Sequence, residues 1–412
     1  MDLQTLQEYL GTRTVIAVTA ISAYVLLCRS LRYRRRDQKH AQYPYKTRAD
    51  MAKMTSQHAF EIVKYIYSLE YPFLVTKSLE FALFKTYGIP TISALLCKTT
   101  QLSSPATAPR RYADTTTLIT EFLLQPPTSP RSTLALSRTN YLHSHHKISN
   151  KDMLYTLSLF VLEPSFWIRT YEWRPLTPLE LCATATLWKD IGHRMGIDYA
   201  PLDHGPDAFC DGLEFFEDLS TWAEEYERDV MLPMESNHRL AEETIALLLS
   251  DVPRPLKPFG KQLVVTMMSE RLRRAMKYDK PHPVYPFLVR SIISVRRFLL
   301  RNVFLPRPYA WRYSPISEEP DKGSGRLWQT EWVAEPWYVL YVKPTLANKF
   351  SPLSLFRHHV LGLPVPDGKN FKPEGFTAVE IGPRNMEGKG VGRCEDEAAS
   401  LRVERVGCPF MK

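Results

Sequence analysis

Side chains able to bind a metal or to handle dioxygen are concentrated in the stretch 111–146. Its first part combines a guanidinium, a carboxylate and a hydroxyl, and its second part, about thirty residues later, holds three histidines. A neutral imidazole is the ligand that haem iron takes from many proteins, and the upstream groups could act on oxygen bound there. The residues concerned are Arg111, Asp114, Thr115, His143, His145 and His146.

The upstream group has a spacing that places its members on one side of a helix. Arg111, Asp114 and Thr115 fall at positions i, i+3 and i+4, which are neighbours on a helical surface. In a functional reading, Thr115 donates a hydrogen bond to bound oxygen and Arg111 holds a carboxylate or a propionate in bidentate fashion. The alternative is an ordinary surface pair between Arg111 and Asp114, and the sequence alone favours that alternative.

The histidine cluster also has two interpretations. Three imidazoles within four residues, next to apolar helical segments, favour a ligand for haem iron. The alternative is a polar turn ahead of a helix that starts near Asn150. Cys408 is a second candidate ligand, since thiolates bind haem in some oxygenases. Its position as the fifth residue from the end of the sequence favours a structural role instead.

Charge and cysteine content exclude several classes of protein. The formal net charge is +9, but the segment from Arg29 to Lys53 alone contributes nine basic minus two acidic residues, 9 − 2 = +7. A nucleic-acid groove would need basic residues spread over a folded surface, so we expect no nucleic-acid partner. The six cysteines show no CxxC spacing, which indicates neither a disulfide framework nor a zinc site.

An apolar segment near the N-terminus predicts a membrane anchor. Residues from Thr14 to Cys28 carry no charge, and the arginine cluster at 32–36 follows them. A cleaved signal peptide has the opposite order, with positive charge before the apolar core. The positive-inside rule therefore places the N-terminus outside the cytosol and everything after residue 36 within it. The alternative is an amphipathic helix that lies on the membrane surface.

The remaining chain is patterned as a mainly α-helical protein. Apolar residues recur at helical spacing in most segments between 57 and 304, and Gly88 and Pro90 interrupt one of them. Loops are expected at 103–109 and 125–130, with a short helix between them over 112–124. The helix with Arg290, Arg296, Arg297 and Arg301 either presents a solvated face, which the sequence favours, or rests on anionic lipid. The last eighty residues look irregular, with one short strand expected at 337–342.

Several motifs together resemble one family, the fungal ER-bound oxygenases typified by MpaB, which are distant relatives of the latex-clearing rubber oxygenases. The resemblance extends over nearly everything after residue 55. It is carried by the segments 81–90 (FALFKTYGIP), 111–115 (RYADT), 140–143 (NYLH), 154–160 (LYTLSLF), 163–164 (EP), 171–174 (YEWR), 375–376 (GF), 381–383 (IGP) and 407–410 (GCPF).

The resemblance implies an all-α, globin-related catalytic core on an N-terminal transmembrane helix. It also implies oxidative cleavage of a carbon–carbon double bond in an isoprenoid chain, with dioxygen as co-substrate. His143 aligns with the histidine that ligates b-type haem (haem b) in the rubber oxygenases. Those enzymes carry an Arg-x-x-Lys-Thr motif whose lysine can occupy the distal iron site.

This chain departs from that pattern at two places. Asp114 stands where the lysine would be, and a carboxylate is a poor neutral ligand, so we expect five-coordinate or water-bound iron. The segment after His143 is also shorter than in the fungal relatives, which would alter the shape of the pocket beside the predicted ligand.

These inferences give a defined expectation. The chain is predicted to be a membrane-anchored oxygenase that cleaves or oxidises the prenyl chain of a hydrophobic secondary metabolite, such as a meroterpenoid. His143 would bind the haem, and Arg111, Asp114 and Thr115 would act in catalysis, with Asp114 as acid/base or as the partner of Arg111. The alternative is a non-catalytic helical protein that binds a hydrophobic intermediate at the membrane.

The organisation expected from the sequence has four parts. Residues 1–31 form the anchor, 32–56 a basic juxtamembrane linker, 57–312 the helical catalytic domain, and 313–412 an irregular C-terminal extension packed on that domain. A single pass through the endoplasmic reticulum membrane, with the catalytic domain in the cytosol, follows from the anchor and the resemblance. The predicted partners are the lipid bilayer and the prenylated substrate.

Overall fold

The protein is all-α, as predicted, in a computed structural model that describes residues 3–205, 208–340, 372–403 and 407–410. A π-helix over Ile66–Glu70 links α3 to α4. The α-helices are α1 Leu3–Ala41, α2 Arg48–Met51, α3 Ser56–Tyr65, α4 Pro72–Thr86, α5 Pro90–Thr99, α6 Ala108–Leu124, α7 Pro130–His143, α8 Asn150–Tyr171, α9 Pro178–Arg194, α10 Gly212–Val230, α11 Glu235–Leu248, α12 Lys257–Met267, α13 Glu270–Ala275, α14 Val284–Asn302 and α15 Val391–Val403.

Local sequence explains where the central helices begin. Thr177 accepts a hydrogen bond from the amide of Glu180, whose carboxylate accepts one from the Thr177 amide, so the two residues form a capping box at the start of α9. Ser149 caps α8 and Ser129 caps α7 in the same way through their hydroxyls. Proline at the first turn of α4, α5, α6, α7 and α9 suits a position whose amide has no helical partner.

The core is a set of helix pairs. Helix α4 packs on α8, α3 on α9, α10 on α9, and α6 on α7. Phe160 of α8 stacks on Trp188 of α9, with ring centroids 4.8 Å apart, and Phe122 of α6 meets the same indole edge-on. Through Trp188 the α6–α7 pair is therefore fixed to the centre of the bundle.

Helix α1 is longer than the predicted anchor. It continues to Ala41, so the predicted boundary at residue 31 lies inside a helix, and the first part of the predicted linker is helical. The arginines of this part contact the rest of the protein: Arg32 donates to the carbonyl of Phe304, and Arg35 donates to the buried Glu70 carboxylate. The part of α1 that follows the apolar segment is therefore packed against the catalytic domain.

The C-terminal extension is less irregular than predicted, because it contains α15. This helix packs against α7, and Ser137 of α7 donates to the carbonyl of Cys394. The fully buried Arg138 donates to the carbonyls of Ile381, Met386 and Lys389, at 2.8, 2.7 and 2.6 Å. The strand expected at 337–342 is replaced, in its described residues 337–340, by a turn and an isolated bridge at Val339; positions 341–342 lie outside the described residues.

Candidate active site

The helical hairpin of α6 and α7 brings the two predicted halves of the site together. Arg111 lies 124 − 111 = 13 residues before the end of α6, and His143 lies 143 − 130 = 13 residues after the start of α7. Since both helices rise about 1.5 Å per residue and run antiparallel, the two positions meet side by side. Arg111 is close enough to His143 to lower the pKa of its imidazole.

His143 is held in the neutral form. Burial, helped by the charges of Arg111 and His146, lowers the pKa of the imidazole to about 4. The ring is partly buried, and its Nδ1 is buried with no hydrogen-bond partner among the described residues. A neutral imidazole with an unused ring nitrogen is the form that binds a metal.

Arg111 carries a charge that the described part of the chain does not pair. No described carboxylate lies within ion-pair distance of its guanidinium, although its charge acts on Asp114, His143 and Tyr87. The side chain is partly buried, so an anion placed beside it would be bound in a site of reduced solvent screening. The surface pair with Asp114 that the sequence alone favoured is not formed.

Asp114 faces the C-terminal extension rather than the histidine. Tyr338 donates a hydrogen bond to its Oδ1 at 2.6 Å, and the nearest guanidinium is that of Arg110, whose Nε lies 3.9 Å from Oδ2. Burial raises the pKa of Asp114 to about 6, although Tyr338 and Arg110 oppose that shift. Asp114 is thus tied to Tyr338, and Oδ2 has no hydrogen-bond partner within the described chain.

Thr115 lies one turn along α6 from Arg111, as the spacing predicted. Its hydroxyl donates to the carbonyl of Arg111 at 2.8 Å, so this proton is already used inside the helix. A donor role toward bound oxygen would require the hydroxyl to rotate away from that carbonyl.

The other two histidines of the cluster are exposed. His145 and His146 follow the end of α7, and the Nδ1 of His145 lies 2.7 Å from the carbonyl of Tyr141. These two residues form the polar turn of the alternative interpretation, and His143 is the least exposed of the three. The thiol of Cys408 lies 3.0 Å from the carbonyl of Ala52, which agrees with a structural role.

An apolar cavity of about 460 Å³ lies on the opposite side of α6 from this polar group. Its walls come from α4, α6 and the segment 313–335, and Tyr87 and Thr244 contribute to its lining. Tyr87 also lies within range of the Arg111 charge, so the cavity reaches the neighbourhood of the candidate site. The wall residues from α6 are Tyr112, Ala113, Thr116, Ile119, Thr120, Leu123 and Leu124.

Sequence reasoning did not identify Tyr338, Arg110 or the cavity. Tyr338 is fully buried with a left-handed backbone (φ +60°), and it lies more than two hundred residues from Asp114 in the chain. A non-glycine residue in that conformation costs energy that its surroundings must supply. The only sequence signal is an aromatic pair, Trp337-Tyr338, in a region otherwise read as irregular.

The residues present fit a haem in two respects. Haem iron requires only one protein imidazole, and His143 offers a neutral one. The unpaired Arg111 would bind a propionate. Among the described residues, no group of three or more His, Cys, Asp or Glu is placed to hold a metal ion.

Helix α1 is the feature that associates the protein with a membrane. Residues Gly11–Ala41 form the one helix in the described chain that is long and apolar enough to cross a bilayer. The side chains of its apolar part are exposed, including Val15, Ile16 and Ile21 at 63–65%. Fold and site together define a membrane-associated all-α protein with a neutral, partly buried histidine on one side of α6 and an apolar cavity on the other.

Comparison with known proteins identifies the family, although no family model matches the chain. The chain is 40% identical to the ER-bound oxygenase mpaB' of Penicillium brevicompactum, over 96% of this chain and 94% of that protein. It is 36% identical to the ER-bound oxygenase mpaB of the same species, over 90% and 89%. The enzyme of that name from Penicillium roqueforti is 46% identical, over 64% of this chain and 89% of its own length.

The chain therefore belongs to the fungal MpaB-like family of ER-bound oxygenases, which confirms the resemblance found in the sequence. It is a membrane-associated oxygenase, and hence an oxidoreductase.

Proposed function

We propose that the protein cleaves or oxidises the prenyl chain of a hydrophobic metabolite with dioxygen. The observation that carries this proposal is a neutral His143 beside an unpaired Arg111, whose charge also reaches Tyr87 in the wall of an apolar cavity across α6. The cavity is lined mainly by carbon, and a prenyl chain is a hydrocarbon with reactive double bonds. A cavity of about 460 Å³ lies in the range of sites that enclose small molecules.

His143 would hold haem b, and Arg111 would bind one of its propionates. Bound haem would supply the activation of dioxygen. The protein contributes the fixed position of the imidazole, at the last residue of a helix whose preceding turn is held by Arg138 and α15. Burial keeps the Nδ1 atom free of solvent and the ring neutral.

Asp114 would act as a positioning residue rather than as acid or base. Its hydrogen-bond partner is Tyr338 of the C-terminal extension, and its carboxylate does not pair with Arg111. Thr115 would hold the first turn of α6 in shape through the Arg111 carbonyl and thereby fix the start of the Arg111 side chain. Asp114 would thus fix α6 to the C-terminal extension, and Thr115 would fix the backbone that carries Arg111.

The protein would be a single-pass membrane protein of the endoplasmic reticulum with its catalytic domain in the cytosol. The arginines that follow the apolar segment of α1 support this orientation. A prenylated substrate partitions into lipid, so an anchored enzyme meets it at a high local concentration.

The proposal is tested with the full chain in lipid nanodiscs, given a farnesylated phenol under isotopically labelled dioxygen. We expect label in the product, and we expect turnover to fall by roughly 10- to 100-fold in Arg111→Ala and to be lost in His143→Ala. His146→Ala is the matched control, because that imidazole is exposed, and it should retain activity. Tight binding of the phenol without any product would instead support the non-catalytic alternative.

A further inference from the structure

Helix α14 exposes an apolar face that the described protein does not cover. Of its nineteen residues, Asn302 alone is buried. Phe287 and Phe298 are 67% and 62% exposed, and they lie 298 − 287 = 11 residues apart, about three helical turns, on the same side. Apolar exposure continues beyond the helix at Val303, Phe304, Leu305, Tyr309 and Trp311. We call this surface, Val284–Trp311, the α14 face.

The α14 face is joined to the membrane-spanning helix. The hydroxyl of Tyr24 donates to the carbonyl of Val303 at 2.9 Å, and Arg29 donates to the side chain of Asn302 at 2.9 Å. Tyr24 belongs to the uncharged part of the candidate membrane span, so a bilayer around that segment would meet the end of α14 at the edge of its hydrocarbon layer. Phe304 and Leu305 follow immediately and are about half exposed at that depth.

The charges and aromatic rings of the α14 face match a bilayer surface. The helix holds four arginines and no acidic residue. Arg296 pairs with Glu172, but Arg290, Arg297 and Arg301 form no ion pair within the described chain. Unpaired arginines attract anionic lipid headgroups near a charged membrane. Tyr309 and Trp311, 69% and 72% exposed, are of the types enriched at the headgroup level.

The cavity opens next to this face. Phe73 lines the cavity, is 56% exposed, and lies under the guanidinium of Arg296 from α14, 5.4 Å from the ring centre. Arg307 also lines the cavity, and its carbonyl accepts a hydrogen bond from Arg35 of α1. One side of the cavity is thus formed by residues that contact both the α14 face and the juxtamembrane part of α1.

We propose that the α14 face is a second membrane contact, lying flat on an anionic bilayer surface beside the anchor. In this position the mouth of the cavity meets the lipid, and a hydrophobic chain enters it from the bilayer without crossing water. The membrane contact stands on the contacts of α14 and α1, whereas the entry of a prenyl chain rests on the proposed function.

Hydroxyl-radical footprinting of the full chain tests the contact, in nanodiscs of phosphatidylcholine and phosphatidylserine that each hold one copy. Each residue's oxidation rate is divided by the rate of the same free amino acid. On this scale Phe287, Phe298 and Trp311 should be oxidised at least fivefold more slowly than Leu232 and Met234. Those two controls are 56% and 45% exposed, far from the α14 face in sequence. Equal normalised oxidation of both sets would overturn the proposal, and single loading excludes protection by a second copy.

A double variant, Phe287→Glu with Phe298→Glu, tests the consequence for substrate entry. We expect KM for a farnesylated phenol dissolved in the nanodisc lipid to rise at least fivefold, while kcat and haem content stay unchanged. Leu232→Glu is the matched control and should behave as the wild type. An unchanged KM would refute entry from the bilayer. Protection in footprinting without any turnover would refute the proposed function and leave the membrane contact standing.

Discussion

Replacing Asp114 by Asn should remove a pH dependence from the stability of the protein. Asn keeps an oxygen that can accept the Tyr338 hydrogen bond, but it cannot ionise. In the wild type, burial raises the pKa of Asp114 from 3.8 to about 6. Between these values the folded protein holds the proton more tightly than the unfolded chain, so the free energy of unfolding falls as the pH rises.

The size of the effect follows from the two pKa values. A shift of about two pH units corresponds to about 3 kcal/mol when the whole window is crossed. Between about pH 4.5 and pH 8, where part of the unfolded chain is already ionised at the start, about 2 kcal/mol remains. The difference in stability, Asp114→Asn minus wild type, should therefore increase by about 2 kcal/mol over that interval.

Chemical denaturation in detergent micelles at a series of pH values measures this difference. Taking the difference cancels other titrating groups, including His143, whose lowered pKa makes stability rise with pH between 4 and 6.5. Asp251→Asn is the matched control, because that carboxylate is exposed, and its difference should not change with pH. A pH-independent difference for Asp114→Asn as well would refute the assignment of Asp114 as a buried, proton-holding group.

Three further substitutions test the parts around the site. Tyr338→Phe should lower the free energy of unfolding by about 1–3 kcal/mol, because it leaves the buried Asp114 carboxylate without its donor; Tyr309→Phe, at an exposed ring, should have no effect. Arg138→Met should cost at least about 3 kcal/mol, since three carbonyls lose a fully buried donor, and a smaller loss would contradict the role of Arg138 in holding this segment. Thr116→Trp should fill the cavity and reduce farnesyl turnover by about tenfold or more at unchanged haem content; unchanged turnover would place the substrate elsewhere.

The proximity of Arg111 and His143 could be anticipated from the sequence. The Pro- and Ser-containing loop after Leu124 ends α6, and Ser129-Pro130 starts α7, so the two helices form a short hairpin. In such a hairpin, residues equally far from the turn are neighbours. Local signals of this kind, which also include the Thr177 capping box, act over a few residues and are therefore visible in a single sequence.

The partner of Asp114 could not be anticipated, because it depends on long-range packing. Tyr338 contacts Asp114 from a segment without helical or strand periodicity. Its left-handed backbone is at a tyrosine and not at a glycine, so the sequence does not indicate this conformation. The length of α1 was missed for a related reason. Arg32 and Arg35 look like part of a solvated basic run, and only their contacts with Phe304 and Glu70 show that they extend the helix onto the catalytic domain.

The absorption spectrum of the purified full chain tests the central claim most directly. The claim is that His143, neutral and partly buried opposite Arg111, binds haem b. We predict a Soret band with one haem per chain, lost in His143→Ala and retained in His146→Ala. A Soret band that persists unchanged in His143→Ala, or a wild-type protein that holds iron without haem, would contradict it.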